Sequence, residues 1–138
     1  MIENNIRGGI IMGFWIFMLI MDLLTPLLML GFGSLCLKRA PREINFIYGY
    51  RTTMSMKNKD TWQFAHAYFG KLWFRIGLIL LPVSILPLLF VMGGDENTVS
   101  IVGGVICTVQ VVVLLGSIVP VEKALKRTFD RDGNRKLD

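Results

Sequence analysis

Three long apolar runs constrain this chain more than any other feature. They are residues 10–37, IIMGFWIFMLIMDLLTPLLMLGFGSLCL; residues 71–92, KLWFRIGLILLPVSILPLLFVM; and residues 98–121, TVSIVGGVICTVQVVVLLGSIVPV. Each exceeds the roughly 20 residues needed to cross a bilayer core as a helix. Backbone N–H and C=O groups in lipid must be satisfied within the segment, so helices are expected rather than open strands. The pattern predicts an all-α integral membrane protein with three transmembrane helices. A hydrophobic content of 53% and a mean hydropathy of +0.55 fit that class better than a soluble domain. With 138 residues, a single membrane domain over 1–138 is expected.

Lys and Arg set the expected orientation. The connection after the first run carries Lys38, Arg39, Arg42, Arg51, Lys57 and Lys59. The basic C-terminal tail, 122–138, carries Lys123, Lys126, Arg127, Arg131, Arg135 and Lys136, whereas GGDEN at 93–97 has no basic residue. The positive-inside rule then places the connection and the tail in the cytoplasm, with the N-terminus and GGDEN outside. The first run is too long for a signal-peptide core and is followed by no small-residue cleavage site, so it reads as a retained span. The net charge of +5 lies beside the apolar runs, which points to membrane orientation rather than direct nucleic-acid binding. Cys36 and Cys107 sit inside apolar runs without metal-ligand spacing and read as free thiols. No metal or other cofactor is implied.

Polar chemistry is concentrated between the first two runs, where residues 45–70 read NFIYGYRTTMSMKNKDTWQFAHAYFG. Pro41 stops the preceding helix. The segment 38–70 is expected to form a structured cytoplasmic loop followed by a helix start, with Asp60 and Gln63 as a capping box. A helix from Asp60 to residue 92 would be roughly 48 Å long, more than a bilayer core, so its first turns lie at or below the interface. Trp62, His66 and Gly70 fall on one face of that helix, continued by Trp73 and Gly77. Tryptophans suit the headgroup zone and glycines allow close helix approach. Interface anchoring and a functional surface including His66 are both open readings.

Other polar residues lie within or beside the spans. Asp22 and Gln110 each sit 12 positions into their runs (22 − 10 and 110 − 98), which places them at similar depth for a hydrogen bond. A carboxylate within a membrane span is a functional candidate by default, with packing through a protonated side chain as the plainer reading. Pro82 and Pro87 each remove a helix hydrogen bond and predict kinks. Lys71 and Arg75 lie at the cytoplasmic edge, where Glu122 is placed to pair with either. The tail sequence DRDGN lacks the full calcium-loop pattern and is expected to fray.

The polar connection resembles the SdpI/YfhL family of small bacterial membrane proteins. The resemblance rests on Asn45, the run Gly49-Tyr50-Arg51-Thr52, Ser55, Asn58, Trp62, His66 and Gly70 in that order. It implies location in the bacterial cytoplasmic membrane. It also implies protection against a secreted peptide toxin and recruitment of a cytoplasmic repressor or other regulator. Physically, Arg51 offers a planar donor fork for carboxylate or phosphate. Arg51, His66, Trp62, Tyr50 and Thr52 are therefore the candidate binding residues. Asn45, Gly49, Ser55, Asn58, Asp60 and Gly70 are expected to shape the loop and helix start.

Two further function classes stay open beside immunity or sensing. A membrane enzyme acting on lipid or peptide would use His66, Asp60 and Arg51, although no nucleophile–base constellation or HExxH motif occurs. A small transporter would use Asp22 with Gln110. Three spans enclose a polar path poorly, so that reading requires a homo-oligomer.

Overall fold

The computed structural model describes residues 1–137. Four helices follow in order: α1 (Ile2–Arg39), α2 (Lys59–Phe90), α3 (Glu96–Gly116) and α4 (Ile118–Thr128). Three helical stretches, Ile2–Arg39, Lys59–Phe90 and Glu96–Thr128, are long and apolar enough to cross a membrane.

α1 and α2 form the main pair, with α3 laid against both. In α1 the buried positions are Trp15, Asp22, Pro26, Met29, Gly33 and Cys36. From Asp22 onward they advance by four and three residues in turn, the spacing that keeps one seam facing a neighbouring helix. Outside that seam, Ile20, Leu24, Leu27 and Phe32 are exposed from the bundle and available to lipid. The pair packs closely where Gly33 meets Gly70. A Cβ on Gly33 would lie 2.7 Å from the Phe74 backbone nitrogen, and one on Gly70 would lie 3.0 Å from the Gly33 carbonyl oxygen. Small residues at such crossings replace side-chain bulk with backbone contact, as membrane helix pairs require.

The helix starts show which polar residues act as caps. Asn58, not Asp60, is the N-cap of α2. Its side chain accepts from Thr61 N at 2.9 Å, and the Thr61 hydroxyl accepts from Asn58 N at 3.0 Å. The expected Asp60–Gln63 box is thus corrected: Asn58 holds the extended backbone that a cap needs, and the helix is already under way at Asp60. Asp95 caps α3 by accepting from Thr98 N and from the Thr98 hydroxyl.

The third apolar run is divided at Ser117 rather than continuous. Pro120 lacks the N–H that would bond Gly116 four residues earlier, and it falls in the first turn of α4, where proline is tolerated. The Ser117 hydroxyl bonds Leu114 O and accepts from the Trp73 indole at 2.9 Å. α4 is amphipathic, burying Val121 and Leu125 and exposing Lys123, Lys126 and Arg127.

The tail is also ordered, contrary to the expected fraying. Asp130 Oδ1 accepts from Asp132 N and Asn134 N, which folds residues 130–134 into a tight turn. Arg135 then grips Asp60 with two bonds of 2.7 and 2.8 Å, and Asn58 donates to Gly133 O at 2.7 Å. The turn closes on itself, and Phe129 anchors it by burying its ring in the bundle.

Candidate functional site

At the end of the bundle that carries the 40–58 connection, the polar segment folds into a closed cap. Trp62 donates its indole N–H to Pro41 O at 2.7 Å, fixing the chain as it leaves α1. Asn45 Oδ1 accepts from Ile47 N and Tyr48 N, both at 3.0 Å, and turns the chain back. Arg51 Nη1 donates to Phe46 O across that turn. Ser55 Oγ accepts from Thr52 N at 2.8 Å and donates to Tyr50 O at 2.9 Å, and Thr61 donates to Ser55 O. These short side-chain-to-backbone bonds satisfy a segment that has no regular ladder of its own.

His66 ties the cap to α2. Its Nε2 accepts from Tyr50 N at 2.9 Å, and its Nδ1 lies 2.7 Å from Trp62 O. An acceptor at Nε2 and a carbonyl at Nδ1 require the neutral tautomer protonated on Nδ1. Burial holds the imidazole below its ordinary value of 6.5, against the opposing effect of the Trp62 carbonyl. Gly49 makes the approach possible, since its φ is +114° and a Cβ there would collide with His66 Nε2.

Tyr50 joins the cap to α4. Its hydroxyl donates to Glu122 Oε1 at 2.8 Å, and its ring lies 5.1 Å from Phe69. Burial first, and then the bond to Glu122 and its charge, hold the phenol well above its ordinary value. Glu122 therefore takes a phenol as its partner, while Lys71 and Arg75 remain exposed along α2. Beneath these bonds, Cys36, Tyr50, Ala65, Phe69, Val121, Leu125 and Phe129 form one apolar core.

The candidate residues divide by exposure. Trp62 and His66 are fully buried with every ring nitrogen engaged, and Tyr50 and Ser55 are buried as well. Arg51 is exposed, Thr52 is half-buried, and Phe46 and Ile47 are 83% and 85% exposed beside Arg51. Phe46 and Ile47 carry no functional signature in the sequence beyond being two large apolar residues inside a polar motif. At its N-terminal end α2 exposes Asp60 to the Arg135 grip, which holds the carboxylate below its usual range.

Asp22 and Gln110 do meet across the bundle, by a different bond. Gln110 Nε2 donates to the backbone carbonyl of Asp22 at 2.6 Å and to Ser84 Oγ at 2.8 Å. The Asp22 carboxylate accepts from the Cys107 thiol through Oδ1, and Oδ2 has no partner among the described residues. Ser84 was not anticipated, although a hydroxyl inside an apolar run carries the same signal as Gln110. Near the other end, the Trp15 indole donates to Leu88 O at 2.7 Å, occupying a carbonyl of the last turn of α2. Among the described residues no group of three or more His, Cys, Asp or Glu is arranged to hold a metal ion.

Residues 42–121 match the model of the SdpI/YfhL protein family, which spans the cap and the two helices that follow it. The chain belongs to the SdpI/YfhL family. Neither a curated protein nor a solved structure gives a match. Membership and the three long apolar helices make this SdpI-family chain a multi-pass membrane protein. At family level they support the immunity type of function.

Proposed function

We propose that this SdpI-family chain protects a bacterial cytoplasmic membrane against a secreted peptide toxin and reports that encounter to a cytoplasmic regulator. The orientation proposed is N-terminus outside and C-terminus inside, from the basic residues of the 38–60 connection and the tail. The cap then faces the cytoplasm. The observation that carries the reading is the division of labour within the family motif. Trp62, His66, Tyr50 and Ser55 are buried braces, while Arg51 and the apolar tip Phe46–Ile47 stand exposed on the rigid base they make. A guanidinium beside exposed apolar side chains is the composition of a protein-docking patch. His66 and Trp62 support binding by holding the patch in place, with Thr52 at its edge.

Neither alternative class has a comparable support. Asp60 is held by Arg135, and His66 is sealed, so the three groups of an enzyme reading are not grouped at one surface. Asp22 is fully buried, and a transporter would need further copies of the chain to open a path to it.

The test is survival of toxin-sensitive bacteria expressing the chain, beside a transcriptional reporter of the regulator. Protection is expected with the unaltered chain and is reduced at least tenfold by His66→Ala, which loosens the cap. Arg51→Ala combined with Phe46→Ser is expected to abolish the reporter response at unchanged membrane levels. Full protection and full reporter response in both variants would sink the assignment. Orientation is checked separately with a membrane-impermeant thiol reagent: Asn97→Cys is labelled in intact cells and Lys57→Cys only after lysis.

A further inference from the structure

Beside the cap, a cavity of about 260 Å³ runs along α1 between α2, the end of α3 and the loop. Thr25, Met29, Phe32 and Cys36 line its length, with Trp73 opposite and Tyr48 and Gly49 roofing one end. Its volume falls just under the roughly 300 Å³ at which pockets for compact ligands begin. Its lining follows α1 from Thr25 to Cys36. Eleven helical steps lead from Thr25 to Cys36, about 16 Å at the helical rise. That is close to half of the ~30 Å hydrocarbon core, the depth of one leaflet.

The geometry points to a site for one anionic phospholipid, with an acyl chain lying in this channel and its headgroup at the loop end. Three observations define that occupant. The channel is almost wholly apolar and opens on the lipid-exposed side of α1, beside Leu28 and Leu35. It ends where α1 ends, at Lys38-Arg39-Ala40-Pro41-Arg42, and Pro41 is part of its wall. Lys38, Arg39 and Arg42 are all exposed there, and the nearby carboxylate, Glu43, is already paired with Lys59 at 2.9 Å. A slot that takes part of one acyl chain and is open to lipid along its side, with uncompensated positive charge at headgroup height, matches a negatively charged lipid. A peptide segment would bring backbone N–H and C=O groups into a channel that offers them few partners.

The site depends on the cap. Gly49 is held in the roof by the Tyr50–His66 bond, so the family motif shapes the mouth of the channel. This inference stands apart from toxin protection, because lipid retention is read without any toxin.

The full-length protein is reconstituted in nanodiscs of equal parts phosphatidylglycerol and phosphatidylethanolamine with identical acyl chains, and ejected into the gas phase for native mass spectrometry. One retained lipid per chain is expected, enriched for phosphatidylglycerol by about fivefold or more, as roughly one additional favourable charge contact gives. Combined Lys38→Gln, Arg39→Gln and Arg42→Gln is expected to erase the preference while leaving retention. Leu28→Trp and Leu35→Trp, which fill the channel from two heights, are expected to abolish retention. An unaltered chain that retains no lipid, or retains both lipids equally, would overturn the proposal. So would filled variants that retain phosphatidylglycerol like the parent. A second readout is the Trp73 share of the fluorescence, taken as the parent signal minus that of Trp73→Phe, which brominated phosphatidylglycerol should quench at a lower mole fraction than brominated phosphatidylethanolamine. Equal quenching by the two contradicts the site.

Discussion

The bond between the Tyr50 amide and His66 Nε2 decides how the loop sits on α2. Gly49 is the residue that permits it. Gly49→Ala would put a methyl into the imidazole at a φ of +114°, so a loss of about 2 kcal/mol or more is expected in denaturant titration of the reconstituted protein. His66→Ala leaves the Tyr50 N–H and Trp62 carbonyl without their partner and opens a cavity, which should cost about 3 kcal/mol. The imidazole also makes the cap sensitive to acid. Burial depresses its folded pKa below 6.5, so the unfolded chain takes up the proton first as pH falls. The stability that neutral His66 contributes is fully present above about 6.5 and is lost as pH falls through the lower folded value. Thermal midpoints measured from pH 7.5 to 5 should decline in the parent, and the decline should be shallower in His66→Gln, which does not titrate. Parallel profiles would show that another group carries the acid response.

At the scale of elements, the spans were legible because their apolar runs exceed what a soluble core helix needs, and their helical state follows from the absence of water in lipid. Boundaries were less legible. Asn58 and Asp60 are both good caps, and the choice fell to the residue with a hydroxyl three positions on, Thr61, rather than to the carboxylate with Gln63. The break at Ser117 follows from Pro120, whose effect is hard to see inside a continuous apolar run. The depth match of Asp22 and Gln110 was readable, but not that the amide would choose a backbone carbonyl and Ser84. Gln110→Leu removes both bonds and is expected to cost about 1 kcal/mol, the usual scale of interhelical bonds in membranes. A stability change below a few tenths would place these bonds outside the determinants of helix packing. Unchanged protection in Asp22→Asn would exclude a proton-relay role for that carboxylate.

For the whole molecule, the unexpected feature is the tail. It docks through contacts 75 residues apart in sequence, Arg135 to Asp60 and Asn58 to Gly133, which no local pattern announces. Its energetic weight lies in the Phe129 ring, which is 1% exposed and meets Phe64 edge-on at 5.4 Å. Phe129→Ala should cost about 3 kcal/mol, whereas Arg135→Ala should cost clearly less because the ion pair is half exposed. The opposite order would mean that the ion pair, not the core, holds the tail. The candidate site was likewise only partly legible. The motif residues were visible in order along the chain, but their separation into buried braces and an exposed tip arises from the loop folding back on Trp62 and His66 and from Tyr50 packing against α4. In the molecule as a whole, the 40–58 connection is a folded cap and not a mobile link between spans. Site-resolved hydrogen exchange of the full chain in nanodiscs at pH 7.5 tests it directly. The amides of Tyr50, Thr52 and Asn58, bonded to His66, Ser55 and Thr61, should show strong protection, lost at Tyr50 in His66→Ala. Exchange of all three at the rate of an unstructured peptide would contradict the cap.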